Sequence, residues 1–169
     1  MVSRTGLTRE ALWEAVAQVL DPEVPVLSVV DLGIVRHVRE VDGTVVVDVT
    51  PTYSGCPAML VIERDIVDAL HRAGAAKVLV NTVYQPAWTT DWIKPEARAR
   101  LRAYGIAPPS GLASQGEDLI PLRRRVDVVA CPHCGSTRTR MQSEFGSTAC
   151  KAILSCDECR QPFEYLKAI

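Results

Sequence analysis

Aromatic side chains are scarce in this sequence: Phe, Trp and Tyr together make 5% of its 169 residues. A groove that binds single-stranded nucleic acid needs stacking platforms, and few are on offer. The formal net charge is −1, so there is no global pull toward a polyanion or an anionic membrane. No apolar run approaches the roughly 18–20 residues that span a bilayer. The opening stretch MVSRTGLTRE lacks the apolar core of a secretory signal, and the chain is expected in the cytoplasm. Thiols stay reduced there, which turns paired cysteines into metal ligands before disulfides. Cysteine is itself nearly missing from the first three quarters of the chain, where Cys56 stands alone. What the chain does have is apolar mass, 47% of its residues, enough for a real core.

The punctuation is legible. Thr8 can cap a helix running to about Leu20, with Glu10 in its first turn and Leu12, Val16, Val19 and Leu20 along one face. Asp21-Pro22 stops it. Residues 34–40 and 44–50 read as strands joined by Asp42-Gly43, a dipeptide that suits a two-residue hairpin. Met59 to Ala73 reads as a second helix, KVLVNTVYQ as a third strand, and Pro95 to Tyr104 as a third helix ended by Gly105. APPSGLASQGEDLIPL is rich in Pro, Gly and Ser. These signals predict an α+β fold: a two-layer domain (helix–hairpin–helix–strand–helix on a small sheet) over residues 1–105, a linker over 106–122, and a small module over 123–169. Tight-turn connections argue against a parallel unit. The last piece carries eight basic residues against five acidic, or +3, including Arg123-Arg124-Arg125. Such a run is most often a solvated face.

Cys131-Pro132-His133-Cys134 and Cys156-Asp157-Glu158-Cys159 are two C-x-x-C pairs. Two residues between thiolates let one turn aim both sulfurs at one ion, and two such turns complete a tetrahedron, which suits structural Zn²⁺. A segment this short buries too little to fold unaided, and metal would supply the missing stability. Reduced cysteines without metal, or an iron–sulfur cluster on the same four thiolates, are the competing readings. Cys150 is left over: a small buried hydrophobe, an exchangeable extra ligand or a reactive thiol.

Cys56 lies between Gly55 and Pro57, beside the start of the second helix. A helix N-terminus favours thiolate, so this thiol is expected to be more acidic than usual. No strong base is adjacent, since His37 and His71 are distant in sequence. A Cys/His hydrolase or transferase is therefore unsupported.

DPEVP, then VVDLGIV, then TPTYSGCPA resemble the metal–sulfur cluster assembly family, whose small α+β domains help load iron–sulfur clusters onto client enzymes. The resemblance implies that Cys56 is a transient cluster or iron ligand. Asp21 and Glu23, and Asp31 with Gly33, fall on its supporting loops. PAWTTDWI, LRAYGIAPP, EFGSTACKA and the paired cysteines resemble more narrowly the phenylacetate-degradation branch of that family. This branch implies a non-catalytic maturation factor for the multicomponent phenylacetyl-CoA epoxidase, with the iron–sulfur reductase of that system as client and its other subunits as partners. Proteins of the branch often end in a cysteine-containing KCI, whereas this chain ends Lys167-Ala168-Ile169.

One thiolate cannot complete a cluster. The missing ligands would come from a second copy in a homodimer with paired Cys56 residues, a small thiol, Cys150 or the client. Trp88 and Trp92 could be partner anchors or core. Two other functions compete: a stable non-catalytic subunit of the epoxidase complex, and a zinc-ribbon nucleic-acid binder.

Overall fold

A computed structural model describes residues 6–110 and 128–168, and the chain divides into two compact units. The first runs to Trp88 and takes in Trp92–Lys94; the second comprises Thr89–Asp91 and everything from Pro95 onward.

In the first unit, helix α1 spans Arg9–Ala17, and the Thr8 hydroxyl caps it by accepting from the Ala11 N–H at 3.2 Å. Strands β1 (Val35–Val41) and β2 (Thr44–Val49) form the expected hairpin, with Asp42 and Gly43 both at positive φ, 49° and 79°. Helix α2 spans Ala58–Arg72 and strand β3 spans Val78–Thr82. The sheet order is β1-β2-β3. β1 and β2 are antiparallel, but β2 and β3 are parallel, so the sheet is mixed and α2 is a crossover. The tight turn governs only the first connection. Central β2 is buried on both faces, with Val45, Val46, Val47 and Val49 all in the core. Helix α2 adds Ile62, Ile66 and Leu70 to that core, each almost wholly buried.

The loop between α1 and β1 is pinned by its own carboxylates. Asp21 Oδ1 accepts from the Glu23 and Val24 N–H groups at 2.8 and 2.9 Å. Asp31 Oδ2 accepts from the Ser28 N–H at 3.1 Å, and Lys94 Nζ lies 3.7 Å from Asp31 Oδ1. Gly33 sits at φ +71°, and a Cβ there would meet the Trp92 Cβ at 2.7 Å. Only glycine fits both the torsion and the space. Gly33→Ala should therefore cost about 2–4 kcal/mol, by left-handed strain plus overpacking. Urea unfolding followed by tryptophan fluorescence measures it, and a loss below about half a kilocalorie would refute this account of the loop. Trp88 proves to be core: its indole N–H donates to the Leu32 carbonyl at 2.9 Å, and the ring is buried. The Arg36 guanidinium stacks 3.6 Å from the centroid of half-buried Trp92.

In the second unit, helix α3 spans Pro95–Tyr104, followed by strands β4 (Ile106–Ala107), β5 (Thr139–Ser143), β6 (Lys151–Cys156) and β7 (Pro162–Leu166). The sheet order is β4-β7-β6-β5. Here the structure departs from the expected boundary at residue 105. Helix α3 belongs with the second unit, and Ile106–Ala107, expected as linker, is a strand paired parallel with β7. Ala107 is fully buried in one cluster with Val129, Cys131, Ala152, Leu154, Cys156, Phe163 and Tyr165. Arg98 fastens α3 by donating to the Thr90 carbonyl at 2.8 Å and the Pro109 carbonyl at 3.0 Å. Residues 111–122 of the expected linker, and Arg123-Arg124-Arg125 beyond it, lie outside the described residues.

Candidate functional site

The four paired cysteines converge at one end of the second sheet. Their sulfurs all lie within 4.8 Å of one another, with Cys131 and Cys159 3.7 Å apart and Cys134 and Cys156 3.6 Å apart. Zinc–sulfur bonds of about 2.3 Å in a tetrahedron require sulfur separations of about 3.8 Å. The donor set therefore fits one zinc ion. A disulfide would need about 2.05 Å, and a multi-iron cluster would hold its thiolates on different irons, further apart than atoms sharing one ion.

Each pair sits on the same kind of turn. In the first, Gly135 at φ +76° donates its N–H to the Cys131 carbonyl at 2.9 Å. In the second, Arg160 takes the equivalent position at φ +62° and donates to the Cys156 carbonyl at 3.0 Å. The sulfurs also receive backbone N–H groups: Ser136 on Cys134, Gln161 on Cys159, and Cys159 with Glu158 on Cys156. Those two donors, Cys159 first, and the neighbouring Cys134 and Cys159 thiols draw Cys156 down to about 7 against the cost of burial. Against its Ser136 donor, burial and the Cys156, Cys159 and Cys131 thiols push Cys134 up to about 12. Arg138 pairs with Glu158, and Arg140 with Asp157 at 3.3 Å, so much of the described basic charge is locally compensated.

Cys150 is not part of this group. It is buried, and its sulfur lies 3.0 Å from the Thr148 hydroxyl. His133 points elsewhere as well, its ring edge-on to Phe163 with centroids 6.4 Å apart.

In the first unit Cys56 is half-buried, just before the Pro57 cap of α2. The Cys56 N–H donates to the Tyr53 carbonyl at 3.3 Å, and the Cys56 carbonyl accepts from the Met59 N–H at 3.2 Å. Gly55 turns the chain at φ +84° with open space where a side chain would be. The thiol is less acidic than an ordinary one, not more: burial pushes it up, and Glu23 and Asp21 push it further. The helix start does help, since the Ala58 N–H and the Tyr53 hydroxyl favour thiolate, but desolvation outweighs them. The expected acid shift was therefore in the wrong direction.

This places Asp21 and Glu23 within electrostatic reach of Cys56, although they are remote from it in sequence. Tyr53 escaped the sequence reading; its one signal was a phenol three residues before the lone cysteine. Among the described residues, the four paired cysteines form the one group of three or more potential ligands, so Cys56 and the carboxylates do not make a closed metal cage.

The rate of Cys56 alkylation against pH should inflect above the ordinary thiol value of roughly 8.5. A carboxylate opposes the thiolate charge, so Glu23→Gln should shift that inflection to lower pH. Mass spectrometry of the Cys56 peptide reads the rate without interference from other cysteines. An inflection below the ordinary value, or one that Glu23→Gln leaves in place, would contradict this electrostatic picture.

The family model for iron–sulfur cluster assembly proteins matches residues 9–81, and the one for the PaaD zinc beta ribbon domain matches residues 117–167. A protein of Escherichia coli (strain K12), named as one of the subunits of a "Putative 1,2-phenylacetyl-CoA epoxidase", is 47% identical over 158 residues, covering 94% of this chain and 92% of that protein. The chain belongs to the iron–sulfur cluster assembly proteins that carry a PaaD zinc ribbon. The assembly proteins also include shorter relatives. An "Fe-S protein maturation auxiliary factor" of Porphyromonas gingivalis (strain ATCC BAA-308 / W83) is 33% identical over 96 residues, covering 56% of this chain and 90% of that one. A crystal structure of a domain of unknown function, DUF59, from Bacillus anthracis is 27% identical with a TM-score of 0.51, covering 55% of this chain and 90% of that one. A relative nine-tenths covered by 96 residues has little length left for a ribbon. No described helix is long and apolar enough to cross a membrane.

Proposed function

We propose that this chain is a non-catalytic maturation factor that supplies iron–sulfur clusters or iron to the reductase of the phenylacetyl-CoA epoxidase, with Cys56 as the transient ligand. The observation that carries this reading is the setting of Cys56. It is half-buried at an open Gly55 turn and lies within reach of the Glu23 and Asp21 carboxylates, inside the segment matched to the assembly family.

The chemistry suits a carrier. A thiol must lose its proton to bind a metal, so one that resists ionisation holds its cargo less tightly. The Ala58 N–H and Tyr53 hydroxyl supply the opposite bias, enough to support a thiolate once the cargo's positive charge arrives. Asp21 shapes the loop through its two backbone hydrogen bonds, and the charges of Glu23 and Asp21 both act on the thiol, Glu23 the more strongly. Zinc, held by Cys131, Cys134, Cys156 and Cys159, is structural, and the ribbon faces the client. Cys150 is buried against Thr148 and is a poor candidate for a missing cluster ligand. The remaining ligands come from a second copy, a small thiol or the client.

Anaerobic reconstitution tests this directly. Wild type should gain iron and sulfide beyond its zinc, and Cys56→Ala should not. Equal loading of the two would sink the Cys56 assignment. A second reading draws support from the naming of the E. coli relative as a subunit: a permanent, non-trafficking component of the epoxidase complex. Stoichiometric co-purification with full activity of Cys56→Ala would favour that reading.

A further inference from the structure

The four ribbon cysteines are unequally protected. Cys131 and Cys156 are 2% and 1% exposed and belong to the apolar core of the second unit; Cys159 is half-buried against it, and Cys134 is exposed. The turn around Cys134 is open as well. A Cβ built on neighbouring Gly135 would find nothing within 4 Å, and His133 on the other side is exposed. Yet the Cys134 sulfur lies 3.6 Å from that of buried Cys156.

We propose that the four-cysteine centre is an oxidant-sensitive switch entered through Cys134, with hydroperoxides as the oxidant. The Cys134 thiolate attacks one peroxide oxygen. An S–O bond forms, the O–O bond breaks, and hydroxide leaves, so Cys134 becomes a sulfenic acid. The Cys156 thiolate then attacks that sulfur, forming an S–S bond and expelling a second hydroxide. Two thiolates lose two electrons between them, and one hydrogen peroxide becomes two hydroxide ions. The joined sulfurs are no longer thiolate donors, and a two-cysteine remnant does not retain the ion. Cys156 is part of the core, so the oxidised unit loses its packing together with its metal. A thiol reductant and fresh zinc restore it. This switch does not depend on the role of Cys56.

The test uses the zinc-loaded full chain titrated with hydrogen peroxide. A chromogenic chelator reads released zinc, and a sulfenic-acid trap followed by peptide mass mapping reads the order of modification. The first trapped site should be Cys134, followed by a Cys134–Cys156 disulfide in step with zinc release. Cys134→His keeps a zinc-binding side chain at the open corner but removes its sulfur, and should release zinc at least about tenfold more slowly. Zinc release that follows first trapping at Cys159, Cys150 or Cys56 would overturn the proposal. So would Cys134→His releasing zinc at the wild-type rate. Should that variant fail to bind zinc, the order of trapping in the wild type decides by itself.

Discussion

Stripping zinc from this chain, or replacing Cys156 by serine, should unfold the second unit and leave the first folded. Two of the four ligands are themselves core residues: Cys131 and Cys156 share one cluster with Ala107, Val129, Ala152, Leu154, Phe163 and Tyr165. Among the described residues that cluster has eight members, several of them small, which makes a thin core. Structural zinc sites contribute apparent binding energies of about 10–16 kcal/mol in small peptides, which exceeds what such a core can supply. The first unit has its own core around β2 and α2 and holds none of the four ligands. Helix α3 should melt with the ribbon, because β4 follows it into the second sheet and Arg98 fastens it there. Amide NMR spectra with and without a chelator separate the outcomes. Dispersed first-unit signals beside collapsed signals from Pro95 onward are expected. Retention of α3, or collapse of both units together, would contradict this division. The same logic predicts that a fragment beginning at residue 123 folds poorly even with zinc, since it lacks the β4 strand that pairs with β7.

Replacing Cys56 by alanine should abolish growth on phenylacetate while leaving the first unit stable to within about 1 kcal/mol. The two side chains differ by one sulfur, and the site is half open, so little packing is lost. The helix start survives because Pro57 caps α2 without any side-chain hydrogen bond, and the Met59 N–H bonds the backbone carbonyl of residue 56, not its sulfur. Urea unfolding and growth, measured on the same variant, therefore separate ligand chemistry from misfolding. A variant that both unfolds and stops growth would leave the thiol with a structural role.

Which parts of this could be read from the sequence follows from the range of the forces involved. Thr8, Asp42-Gly43, Pro95 and Gly105 act within a few residues, and the elements they bound appear close to where those signals put them. The exception is the end of α1, which stops at Ala17, ahead of the expected Leu20. The parallel β2–β3 pair is tertiary, yet the unbroken run Val45-Val46-Val47 was a signal for a strand buried on both faces. Strand β4 was invisible. It has two residues and sits beside Pro108-Pro109, where composition speaks for a linker. Zinc spacing is local chemistry and read cleanly. The left-handed position in the second turn is held by Arg160, and without a glycine nothing marked it. At Cys56 the helix start was legible and the burial was not, which is why the acidity came out with the wrong sign. The approach of Glu23 to Cys56 was implied by family resemblance and could not have come from spacing alone.

The central claim is that Cys56 carries cargo to a client. The most direct measurement is the iron and acid-labile sulfide content of the epoxidase reductase purified from cells that make the Cys56→Ala chain. Folded accessory protein beside a reductase depleted of both iron and sulfide is the predicted result. A fully loaded reductase in those cells would contradict the account.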